Sequence, residues 1–97
     1  MEPSFWIGVL TMDLHIPLSQ SLKSKRSVLK SMKDRIRSRY NVTVAELDEQ
    51  DKWQRGVLGV AMIANDKVLI DRSLQHILTL VQDVREAELL NHQVEFI

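Results

Sequence analysis

The chain has 97 residues, of which 44% are hydrophobic and 27% charged, with three glycines, two prolines and no cysteine. This composition excludes a disordered or collagen-like chain, and the missing cysteine excludes disulfides, thiolate nucleophiles and thiolate metal sites. Thirteen Lys and Arg balance thirteen Asp and Glu, so the total charge favours neither nucleic acid nor an anionic membrane. The length predicts a single domain over residues 1–97. Its longest apolar run, 57–64, is far shorter than the ~18 residues of a membrane span. Met1-Glu2-Pro3-Ser4 places an acid where a signal peptide carries bases. A soluble, cytoplasmic protein is the expectation.

Phe5 to Ile16 alternates, with Trp6, Gly8, Leu10, Met12, Leu14 and Ile16 on one face, and this period of two predicts a strand over a core. Pro17 ends it. Ser21 is a good N-cap, and Leu22 to Tyr40 lacks Gly and Pro while Leu22, Val28, Leu29, Met32, Ile36 and Tyr40 recur within an arc of about 120°. That predicts an amphipathic first helix. Residues 41–48 open with β-branched alternation and predict a second strand, and Glu46 to Asp51 is polar enough for a hairpin tip. Trp53 to Ala64 predicts a third strand, central because it is apolar on both faces in its second half. Asn65 or Asp66 caps a second helix buried through Ile70, Leu74, Ile77, Leu78 and Val81. Glu88 to Ile97 predicts a fourth strand with Leu90, Val94 and Phe96 on one side. The order is the α+β, ferredoxin-like β-α-β-β-α-β plan, with two helices on one face of a four-stranded antiparallel sheet.

The neutral total conceals a segregation of charge. Eight bases lie between Ser21 and Tyr40, against the single acid Asp34. On a helix Lys23, Arg26, Lys30, Lys33 and Arg37 fall within an arc of about 80°, in a stripe about 21 Å long. Lys25, Arg35 and Arg39 lie outside it, Lys25 and Arg39 toward the apolar side, where long stems carry the charge outward. Ser24, Ser27, Ser31 and Ser38 leave room for a ligand backbone. A helix that is merely solvated mixes its signs. These eight bases therefore suggest contacts to a nucleic-acid backbone, which give affinity with little sequence discrimination.

Two weaker constellations remain. Asp13, His15, Glu46 and Asp48 would converge at one end of the open sheet face, and a His among carboxylates invites a metal or acid–base reading. Polar strand ends are commoner than such sites, and His76 and His92 add no ligand spacing. No catalysis, cofactor or metal is expected. Phe5, Ile7 and Val9, joined by Trp53, would make the other part of that face apolar, as a homodimer interface requires.

The segments Gly8-Val9-Leu10, Asp13-Leu14-His15-Ile16-Pro17, Ser21-Leu22-Lys23, Lys25-Arg26, Val44-Ala45-Glu46, Trp53-Gln54-Arg55 and Asn65-Asp66 together resemble the YlxP-like family of small bacterial proteins. The resemblance spans nearly the whole chain and implies a ferredoxin-like fold without an established enzymatic activity. It also implies a part in translation or ribosome maturation, because genes of the family lie among those for such factors. Ser24 stands where the family is expected to carry Glu, and Leu18 where it is expected to carry Gly. The resulting expectation is a non-catalytic accessory protein that binds structured RNA, ribosomal RNA above all, through its first helix. The alternative is a protein-interaction module or homodimer that uses the open sheet face.

Overall fold

A computed structural model describes residues 4–49 and 52–97. The opening alternation becomes β1 (Trp6–His15), with Leu10, Met12 and Leu14 fully buried on one face and Ile7, Val9, Thr11 and Asp13 half-buried on the other. α1 (Leu22–Arg39) starts at Ser21, whose extended backbone and hydroxyl, accepting the Ser24 N–H at 3.0 Å, satisfy a free amide of the first turn. β2 (Thr43–Glu46) is shorter than the apolar alternation suggests, and β3 (Arg55–Ala64) follows the hairpin. Asp66, not Asn65, caps α2 (Lys67–Gln82), its carboxylate accepting the Val68 and Leu69 amides at 3.0 and 3.3 Å. β4 (Glu88–Phe96) closes the sheet.

The strand order is β2-β3-β1-β4 with every neighbouring pair antiparallel, so the order and layering are those of the ferredoxin-like α+β fold. The core lies between the sheet and the helices: Leu10, Met12, Leu14, Leu58 and Val60 from the strands meet Leu29, Met32 and Ile36 of α1 and Ile70, Leu74 and Ile77 of α2. α2 approaches β1 so closely at Gly8 that a Cβ there would collide with the Ile70 side chain. On the uncovered face, Leu47 occupies the equivalent space above Gly59. No helix among the described residues is long and apolar enough to cross a membrane.

β4 departs from its sequence pattern. Asp13 opposes Asn91 but Leu14 opposes Leu89, so Leu90 is an extra residue in the ladder. One inserted residue reverses the alternation. Leu89 therefore joins Val94 and Phe96 against the core, while Leu90 is 48% exposed.

Candidate nucleic-acid interface

α1 is attached to the sheet by Lys25, Leu29, Met32 and Ile36, its buried residues. Spacing of three and four places these on one stripe, which leaves both flanks and the outer face to solvent. Lys23, Arg26, Lys30 and Arg37 are exposed and Lys33 half-buried, along the flank that overhangs β2. Arg37 fixes that orientation, because its Nη2 donates to the Val44 carbonyl at 2.8 Å. Lys23, Arg26 and Lys33 have neither hydrogen bond nor ion pair among the described residues. Lys30 pairs with Asp34 at 2.9 Å. That hydrogen bond, opposed by desolvation and helped by the charges of Lys30, Arg37 and Lys33, holds the Asp34 carboxyl below its ordinary 3.8. The one acid of the helix thus sits in a net positive field.

Lys25 requires a correction. Expected to extend outward toward phosphate, it is 0% exposed. Its Nζ donates to the Glu49 carbonyl at 2.7 Å and the Arg55 carbonyl at 3.0 Å, and lies 3.6 Å from Glu46 Oε1. The stem follows the apolar stripe inward, and the β2–β3 hairpin closes over the ammonium before it reaches water. Two hydrogen-bonded carbonyls and the nearby carboxylate surround it, which is how a buried charge is tolerated. Lys25 is a clasp between helix and hairpin, not a surface ligand. Glu49, whose carbonyl it holds, has a left-handed backbone with φ of 62°.

Arg35 and Arg39 occupy the flank facing α2. Ser27, Ser31 and Arg35 line a cleft of about 250 Å³ over Val28, Met32 and Val84, closed on the far side by Glu86. Arg39 shares a neighbouring hollow with Arg35, Leu80 and Asp83. The serine face therefore leads into a groove whose opposite wall is acidic. Nothing in the helical periodicity of α1 could have revealed that wall, because Asp83 and Glu86 come from the end of the other half of the chain.

The convergence of Asp13, His15, Glu46 and Asp48, already the weaker reading of those residues, fails at Glu46. Glu46 opposes buried Leu58 and turns toward Lys25 on the helix side, whereas Asp13 and His15 lie on the open face. His15 Nδ1 instead lies 3.8 Å from Glu88. No three His, Cys, Asp or Glu among the described residues group as metal ligands. Trp53 is also misplaced by the expectation: it precedes Arg55, which pairs with His15, while Ile7 pairs with Ile63 at the other end. Eight residues of strand, about 26 Å, separate the two ends. The apolar patch is made by Ile7, Val9, Ala61, Ile63 and Leu47 instead, with Ile63 62% exposed. Asp51, expected in the polar hairpin tip, lies outside the described residues; of the residues flanking it, Lys52 pairs with Glu49 at 2.8 Å.

Comparison with known proteins places the chain. Residues 7–94 match the family described as Protein of unknown function (DUF503). The chain belongs to this family. It is 37% identical over 68 residues to the Uncharacterized protein YlxP of Bacillus subtilis (strain 168), covering 70% of this chain and 74% of that relative. The YlxP-like resemblance is thereby confirmed. Among solved structures, the de novo designed protein Foldit4 superposes with a TM-score of 0.50 at 18% identity over 94% of this chain and 93% of its own. A C-terminal segment of the alpha subunit of aIF2 from Pyrococcus abyssi gives 0.53 at 13% identity, over 100% of this chain and 52% of that one. At such identities the likeness concerns the fold alone.

Proposed function

We propose that this DUF503 protein is a cytoplasmic, non-catalytic accessory factor that binds structured RNA through α1, with ribosomal RNA during subunit maturation or translation as the favoured target. The observation that carries this reading is the outer surface of α1: Lys23, Arg26, Lys30, Lys33 and Arg37 stand in one stripe with Asp34 as the helix's one acid. Arg35 and Arg39 extend the positive surface toward α2. A rigid helix presenting cations at a regular rise suits the regular spacing of phosphates along a nucleic-acid backbone, which gives affinity and register but little base discrimination.

If the five cations of the stripe engage phosphates, the log of affinity for ribosomal RNA falls with log salt at a slope of roughly −3 to −4. Lys30→Glu with Lys33→Glu flattens that slope and abolishes cosedimentation with ribosomal subunits. A slope near zero for the wild type refutes the reading. The rival, a protein-interaction module working through the open sheet face, draws on the uncovered patch of Ile7, Val9, Ile63 and Leu47. It predicts association that survives the double charge reversal and needs no RNA.

A further inference from the structure

The two edges of the sheet are treated differently. In an antiparallel ladder, residues alternate between bonding their neighbour and pointing their N–H and C=O the other way. Leu47 N–H donates to the Val57 carbonyl at 2.8 Å, so positions 43 and 45 share its inward phase and Val44 turns outward from β3. The guanidinium of Arg37 caps that outward carbonyl. β2 is thus a four-residue edge, covered by a charged side chain.

β4 has nine residues, and beyond its bulge at Leu90 the one side chain among the described residues that caps its outer edge is Asn91, on the His92 N–H. Ile97 N–H donates to the Ile7 carbonyl at 2.9 Å, so Glu95, Gln93 and Asn91 bond β1 while His92, Val94 and Phe96 present their backbone groups to the free edge. The His92 N–H confirms this phase, since it takes the exposed Oδ1 of Asn91, its own neighbour, at 2.9 Å. From Asn91 to Phe96 the strand has neither Pro nor Lys, and its one formal charge is Glu95. Its helix-side residues Val94 and Phe96 are only half-buried. The Lys67 ammonium lies 4.9 Å over the Phe96 ring, and a strand added at this edge would bury more of both Val94 and Phe96.

We infer that the β4 edge pairs antiparallel with β4 of a second copy of this chain, with Val94 on the two-fold axis, to give a continuous eight-stranded sheet. Outward residues must meet outward residues, so few registers exist. Centring on Val94 matches His92 with Phe96 of the second copy and uses all three outward positions, at two hydrogen bonds per pair once the His92 N–H exchanges Asn91 Oδ1 for the Phe96 carbonyl. It sets Val94 against Val94 on the helix side and Gln93 against Glu95 on the open side, so no like charges oppose. Pairing Val94 with Phe96 would bring Glu95 onto Glu95, and centring on His92 would run into the bulge at Leu90. An edge contact of this kind is small beside the ~1,600 Å² of a standard interface. The association is therefore concentration-dependent.

Analytical ultracentrifugation of the full chain without RNA, over a wide concentration range, tests this alongside amide hydrogen exchange. The mass should rise from 11.2 kDa toward twice that value, and the Val94 and Phe96 amides should become protected as it rises. Gln93→Glu places two Glu–Glu pairs across the axis and raises the dissociation constant roughly tenfold. Adding Glu95→Lys to Gln93→Glu restores association. Both side chains are exposed, and circular dichroism verifies that each variant is folded. A monomeric mass at every concentration overturns the inference. So does a dimer in which the Val94 amide exchanges freely, or one that the charge exchange fails to rescue, since its contact would lie elsewhere.

Discussion

Replacing Lys25 by Met removes the buried ammonium while keeping most of its stem. Two backbone carbonyls, of Glu49 and Arg55, then lose donors at 2.7 and 3.0 Å, and Glu46 loses a cation at 3.6 Å. Stranding a buried acceptor costs about 1–3 kcal/mol, and removing one partner of a buried ion pair about 3–5 kcal/mol. Relief from desolvating the ammonium lies in the opposite direction, so the lower end, about 3 kcal/mol, is the expected loss. A domain of this size has only about 5–15 kcal/mol of stability, and about 3 kcal/mol lowers Tm by ~12 °C or more. Thermal unfolding followed by circular dichroism, with urea denaturation for the free energy, measures it. Combining Lys25→Met with Glu46→Gln should cost less than the two separately, because the groups are coupled. A Tm change below ~5 °C would refute the reasoning. If α1 binds RNA as proposed, the folded variant keeps the salt slope of that binding, since the Lys25 ammonium is buried.

Gly8→Ala drives a methyl into Ile70 at the closest approach of α2 to the sheet, and should cost about 1–3 kcal/mol in urea unfolding. Asp34 should titrate below 3.8 by carbon-detected NMR, and Lys30→Met should move it back toward that value, since the Lys30 hydrogen bond is the largest cause. A lowered carboxylate pKa gives a contribution that is present above the ordinary range and lost as pH falls through the lowered value. A carboxyl titrating above 3.8 would contradict the positive field assigned to the stripe.

Local rules written into short segments survived folding, and features needing distant partners did not show. The alternation of Leu10, Met12 and Leu14, the Ser21 cap and the helical recurrence of Leu29, Met32 and Ile36 each depend on neighbours within two to four positions. They placed β1, α1 and the core facing correctly. Leu90 was misassigned because a bulge is invisible to a period of two. The helical wheel turned Lys25 toward the apolar side but could not show its burial: what closes over it is a hairpin 24 and 30 residues further along the chain. Glu46 was put on the wrong face because the hairpin phase, fixed by Leu47 and Val57, cannot be counted from β2 alone. The basic stripe was legible as geometry, whereas the restraint of Arg37 by Val44 was not.

The crowding of like charge on α1 makes salt act in two directions at once. Lys33 and Arg37, and Arg26 and Lys30, stand one turn apart, where mutual repulsion weakens a helix by roughly 0.2–0.5 kcal/mol per pair. Added electrolyte screens that repulsion. The same ions displace the helix from a polyanion. If α1 binds a polyanion as proposed, melting temperature and RNA affinity move oppositely along a single salt titration, since Asp34 is the one counterion α1 carries for its eight bases.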